Sequence, residues 1–82
     1  MITIYGTEWC SYCLKAKIIA QQYQLDFEFK DVDNDQTKQE LKALLPDYKT
    51  IPQIWWHGNH VGGYDDFVRE LENTGSFGQD KF

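Results

Sequence analysis

The chain is short of cysteine, histidine and positive charge, and each shortage narrows what it can be. Two cysteines, Cys10 and Cys13, occur in 82 residues, so a scaffold stapled by several disulfides is excluded. A structural zinc site needs four ligands, and the only histidines, His57 and His60, miss the usual finger spacing from the cysteines. They flank Gly58-Asn59, which reads as a hairpin turn, and are expected to be solvated turn residues. Thirteen acidic residues against eight basic ones give a net charge of −5 with no cationic stripe, which makes nucleic acid and anionic membrane poor partners. No apolar run approaches the length of a membrane span. No basic segment followed by an apolar one opens the chain, so no signal peptide is read and a cytoplasmic setting is expected. There a dithiol cycles between reduced and oxidised states instead of serving as a permanent staple.

What is present fits one small domain over residues 1–82, with residues 76–82 as a flexible polar tail and no reason for an obligate oligomer. Ile2-Thr3-Ile4-Tyr5 reads as a strand, and Phe27 to Val32 as a second, with Phe27 and Phe29 alternating with Glu28 and Lys30. Between them Leu14, Ala16, Ile18, Ile19, Ala20 and Tyr23 recur at helical spacing from Ser11 to about Gln24. A second helix is expected from about Gln36 to Leu45, with Leu41, Leu44 and Leu45 inward and Pro46 as its stop. Gln53 to Trp56 and His60 to Gly62 read as a hairpin, with Trp55 and Trp56 on opposite faces. Asp65 or Asp66 is expected to cap a last helix carrying Phe67, Val68 and Leu71, which Asn73-Thr74-Gly75 stops. The expected order is βαβαββα: an α/β fold with a four-stranded mixed sheet flanked by helices. The first two strands, joined by a helical crossover, must be parallel.

Trp9-Cys10-Ser11-Tyr12-Cys13 sits where the first strand gives way to the first helix. A Cys-x-x-Cys at such a β-to-α turn reads as a thioredoxin-like redox motif. Cys10 falls at the N-cap or first turn, where free N–H groups and the helix dipole favour negative charge, and the thiolate is the nucleophile. Cys13 lies one turn further in, within reach of a disulfide to Cys10 but shielded. Cys10 is therefore expected to attack and Cys13 to resolve. The competing reading, two cysteines buried as small apolar residues, is weakened by the spacing behind a strand.

Three motifs in this order, Cys10-Ser11-Tyr12-Cys13, Thr50-Ile51-Pro52 and Gly62-Gly63-Tyr64-Asp65-Asp66, make the chain resemble a small dithiol glutaredoxin of the kind found in bacteria and large phages. The resemblance covers about residues 1 to 72. It implies the thioredoxin-like fold and glutathione as co-substrate. It assigns Cys10 to the mixed disulfide with glutathione, and Thr50, Ile51 and a cis Pro52 to the glutathione backbone. Gly63, Asp65 and Asp66 fall to the γ-glutamyl carboxylate, and Tyr12 and Gln39 to the glycyl end. The activity implied is glutathione-dependent reduction of protein disulfides and glutathionylated proteins, with ribonucleotide reductase among the substrates of such proteins.

Two departures stand out. Thr7 occupies the position where relatives carry Lys or Arg. With Glu8 beside it, this is expected to disfavour the thiolate and weaken glutathione binding, unless Lys49 substitutes from across the groove. Ser11 replaces a proline. Some relatives with Ser there resemble carriers of a [2Fe–2S] cluster, held between two subunits by thiolates like that of Cys10 and by two glutathiones; no metal is otherwise implied. A thioredoxin-like reductase fed by a flavoprotein is the remaining alternative.

Overall fold

β1 (Ile2–Gly6) is the centre on which the molecule is assembled, because its alternation supplies both faces of the sheet. Ile2 and Ile4 point to one side and Tyr5 to the other, and all three are buried. The computed structural model describes residues 1–74. Its elements run β1, α1 (Ser11–Gln22), β2 (Phe27–Asp31), α2 (Asp35–Leu44), β3 (Gln53–Trp56), β4 (Asn59–Gly62) and α3 (Tyr64–Thr74). The βαβαββα order is the one the sequence predicts. The four strands lie in the order β2-β1-β3-β4. β1 pairs parallel to β2, with Ile2 opposite Phe27, and antiparallel to β3, with Ile4 opposite Ile54.

On one face of the sheet, α1 and α3 enclose Ile2, Ile4, Ala16, Ala20, Ile54, Trp56, Phe67 and Leu71. On the other, α2 closes a smaller cluster of Tyr5, Val32 and Leu41, with Trp55 packed against it. Trp56 and Trp55 thus take opposite faces as expected, and Trp55 is half-buried against this second cluster. Glu40 fastens α2 down: its carboxylate accepts from Tyr5 Oη at 2.6 Å and from Lys30 Nζ at 3.0 Å. Those two bonds hold the carboxyl below the usual range, Tyr5 first and Lys30 second.

Several local expectations are corrected. In α1 the buried positions are Cys13, Ala16 and Ala20, while Leu14 and Ile18 stand 39% and 52% exposed. At about 100° per residue, positions 14 and 18 fall on the side away from 13, 16 and 20, so no single contact could bury the whole apolar stripe. In α2, Leu44 is 51% exposed, because the chain turns extended at Leu45 ahead of Pro46 and swings Leu45 inward instead. The hairpin turn is His57-Gly58, not Gly58-Asn59. Both residues have positive φ, 58° and 78°, as a two-residue turn matched to strand twist requires. Asn73 and Thr74 belong to α3, and the expected stop at Gly75 and the tail at 76–82 lie outside the described residues.

Phe67 is wholly buried at the junction of α3 with the sheet. Phe67→Ala should cost about 3–5 kcal/mol, a large part of the stability of a domain this size. Ile18→Ser should cost no more than about 0.5 kcal/mol. Urea unfolding of the two variants checks the contrast, and equal losses would contradict the burial described.

Candidate active site

A sulfur atom starts α1. Cys10 is extended at φ −92° and ψ 119°, and its Sγ accepts the Cys13 N–H at 3.3 Å. Its carbonyl accepts from Leu14 N at 3.1 Å. Cys10 is therefore the N-cap, with sulfur in the place usually taken by a hydroxyl or carboxylate oxygen. Its thiol also makes a long contact, 3.9 Å, to the carbonyl oxygen of Ile51. Neither cysteine is in a disulfide; Cys10 is half-buried and Cys13 fully buried.

Burial chiefly, and then the hydrogen bond to Cys10, push the Cys13 thiol up from 9.0 to about 12; the Thr7 backbone and Lys17 pull the other way. The Lys17 ammonium stands 4.3 Å from the centre of the Phe29 ring, and the residue is half-buried there. Thr7 is 1% exposed, and its Oγ1 has no hydrogen-bond partner among the described residues.

Beside Cys10 an open groove of ≈ 520 Å³ is lined by Tyr12, by Thr50 to Gln53, by His60 and by Gly62 to Asp66. Of the expected glutathione residues, Tyr12, Thr50, Ile51, Pro52, Gly63, Asp65 and Asp66 are thus brought together. Gln39 is not: it is an exposed residue of α2 and does not line the groove. The Ile51–Pro52 bond is cis, as the resemblance implies. Tyr12 lies with its ring 5.7 Å from that of Tyr64 and 5.0 Å from Lys15 Nζ.

The start of α3 forms the far wall. Gly63 is its cap, since its carbonyl accepts from Phe67 N at 2.9 Å. Neither Asp65 nor Asp66 is the N-cap; both lie in the first turn. Asp66 instead reaches back to Gly63 N at 3.3 Å and pairs with Arg69 at 3.0 Å, which offsets one carboxylate at the groove. Gly62 adopts φ 125°, and a Cβ there would stand 3.0 Å from the Asp66 Cβ, so this bend requires glycine.

Sequence reasoning gave no site role to Gln53 or His60. Gln53, nearly buried, donates from Nε2 to the Thr50 carbonyl at 2.9 Å, which leaves its Oε1 to accept from His60 Nε2–H at 2.8 Å. His60 comes opposite Trp55 by the register of the His57-Gly58 turn, and Gly62 comes opposite Ile54 because β4 carries one extra residue, Val61, at that point. His60 is therefore tied by Nε2 rather than simply solvated. The only signal for this in the sequence is the Gly62-Gly63 pair, which marks irregular backbone without giving its register. Among the described residues no three His, Cys, Asp or Glu side chains gather as metal ligands. No helix of the described residues is long and apolar enough to cross a membrane.

Comparison with known proteins places this geometry. The glutaredoxin family model matches residues 2–61. A glutaredoxin of Pseudomonas aeruginosa is 42% identical over 77 residues, covering 90% of this chain and 87% of that protein. Glutaredoxin 1 of Escherichia coli K12 is 39% identical over 73 residues, covering 79% and 85%. Reduced Escherichia coli glutaredoxin superposes with a TM-score of 0.74 at 26% identity, covering 88% of this chain and 93% of that one. A buckwheat glutaredoxin–glutathione complex shares the fold with a TM-score of 0.75 at 19% identity, covering 89% and 69%.

The buried thiol makes stability depend on pH. The native state holds the Cys13 proton more tightly than the unfolded chain. Its contribution is full below about pH 9 and is lost as pH rises toward about 12. Tyr5, raised from 10.0 by burial and by Glu40, acts in the same sense at higher pH, so Cys13→Ala is the reference. Between these limits the reduced protein should lose stability in urea more steeply than Cys13→Ala; parallel curves would show that the thiol is not held protonated.

Proposed function

The chain belongs to the glutaredoxin family and is a thiol–disulfide oxidoreductase, and on that premise we propose that its reductant is glutathione, taken up in the groove beside Cys10. The observation that carries this reading is the groove itself. Its volume of ≈ 520 Å³ falls within the range of about 300–1,000 Å³ of small-molecule sites. It runs from the Ile51 carbonyl, in contact with the Cys10 sulfur, to the N-terminus of α3. A tripeptide bound there can offer its thiol at one end and a carboxylate to the free N–H groups of Tyr64, Asp65 and Asp66 at the other. Ile51, beside Pro52, supplies backbone groups for the peptide between. Gln39 lies outside this arrangement, and a contact from α2 is not needed for it.

The chemistry follows from the two sulfurs. Cys10 thiolate attacks a disulfide sulfur of the substrate; the bond breaks, the departing sulfur takes a proton, and a mixed disulfide forms at Cys10. When the substrate is a glutathionylated protein, its thiol leaves and the glutathione stays on Cys10. A second glutathione thiolate then attacks that glutathione's sulfur, frees Cys10 and departs as oxidised glutathione. When the substrate is a protein disulfide, Cys13 loses its proton, attacks Cys10 Sγ and expels the reduced protein. Two glutathiones then reduce the Cys10–Cys13 bond in turn. Disulfide and glutathionylated proteins, with ribonucleotide reductase as a candidate by resemblance, are the proposed partners. The cluster-carrier alternative rests on Ser11 alone, and among the described residues no group of three His, Cys, Asp or Glu side chains gathers to support it.

The test is turnover of the glutathione–β-mercaptoethanol mixed disulfide with glutathione, glutathione reductase and NADPH. The parent and Cys13→Ser should both turn over, and Cys10→Ser should fall by at least about a hundredfold, to the uncatalysed rate. A folded, reduced parent without activity would overturn the glutathione reading; loss in Cys13→Ser would overturn the division between the thiols.

A further inference from the structure

Gly6 ends β1 opposite Asp31, and its carbonyl accepts from Val32 N at 2.8 Å. It is buried, and it is not among the glycines of positive φ, so its backbone conformation is open to any residue. What excludes a side chain is Cys13. A Cβ on Gly6 would fall inside contact distance of Cys13 Sγ, 3.0 Å from Cys13 Cβ and 3.5 Å from Phe29 Cε1. The Cys13 sulfur cannot yield freely. Its backbone is fixed in the first turn of α1, where its N–H is given to Cys10 Sγ, and helical side chains have in effect two χ1 rotamers. A methyl group at position 6 would turn this sulfur out of its place or lift the start of α1 from the sheet.

We propose that Gly6 is a positioning residue for the second thiol: the space left by its missing side chain is where Cys13 Sγ stands behind Cys10. Residue 6 then governs whether the chain reduces with two thiols or with one. Cys10 caps the helix from outside this space, facing Ile51, and its own attack on a disulfide does not depend on it. The inference refines the two-thiol branch of the proposed function. It is separable from glutathione, because closure of the Cys10–Cys13 bond can be followed with any disulfide.

The probe is the aromatic disulfide dithiobis(nitrobenzoate), mixed with the reduced full chain. Cys10 thiolate attacks it, forms a mixed disulfide and releases one coloured nitrothiobenzoate. Cys13 then gives up its proton, attacks Cys10 Sγ and releases the second. In Gly6→Ala the first release should stay within about twofold of the parent, and the second should slow by about tenfold or more. A second release within about twofold of the parent would overturn the proposal, as would an equal slowing of both. Should Gly6→Ala fail to fold, Gly6→Ala/Cys13→Ala decides. Recovery of the native circular dichroism when the sulfur is removed supports the steric pairing, and continued failure assigns Gly6 to the strand instead. A parent that closes its disulfide with the probe but shows no turnover with glutathione would refute the glutathione reading and leave this one standing.

Discussion

The molecule depends on one sulfur holding the start of a helix. Cys10 Sγ accepts the N–H of Cys13, and in doing so fixes the first turn of α1 against the end of β1. In the proposed reaction the group that attacks is also the group that closes the open end of the helix. On that proposal cap and nucleophile are one atom, and the attacking thiol needs no separate support. The second sulfur follows from the first: three residues on, it lies inside the fold. Burial keeps it protonated and out of reach of everything but its neighbour.

The groove beside that sulfur is assembled from three stretches far apart in sequence, and polar contacts tie them. Gln53 binds the Thr50 carbonyl on its own side and His60 on the adjoining strand, so the segment before Pro52 and the strand leading to Gly62 are linked through one nearly buried amide. At the far end the same economy holds: Asp66 accepts from its own cap residue, Gly63, and from Arg69, so the helix start is ordered and one of the two carboxylates at the wall is offset.

How much of this was legible in the sequence depended on how local its cause was. The alternation of Ile2, Ile4, Phe27 and Phe29 fixes strand faces over a few residues, and the element order follows from it. The dithiol, the proline loop and the glycine pair each carry their own short signature. Burial along helices was less legible, because Leu14, Ile18 and Leu44 are apolar yet face away from the sheet that covers their neighbours. Gln53 and His60 were invisible as partners, since their meeting depends on the hairpin turning at His57-Gly58 and not at Gly58-Asn59, a register no short pattern encodes. The steric demand on Gly6 was equally hidden. Glycine at a strand end suggests a turn, and its actual neighbour is a side chain seven positions later on another element.

The extra residue in β4 also bears on how molecules of this chain meet one another. β4 and β2 are the outer strands of the sheet, and each leaves a row of backbone donors and acceptors without a neighbouring strand. Such rows are templates on which a second chain can lay a strand of its own. On β4 the irregularity at Val61 breaks the even spacing of that row within four residues. On β2 the alternate positions carry Glu28 and Lys30, charges that an added strand would have to bury or match. The extra residue that sets Gly62 opposite Ile54 therefore also makes that edge a poorer template for a second strand.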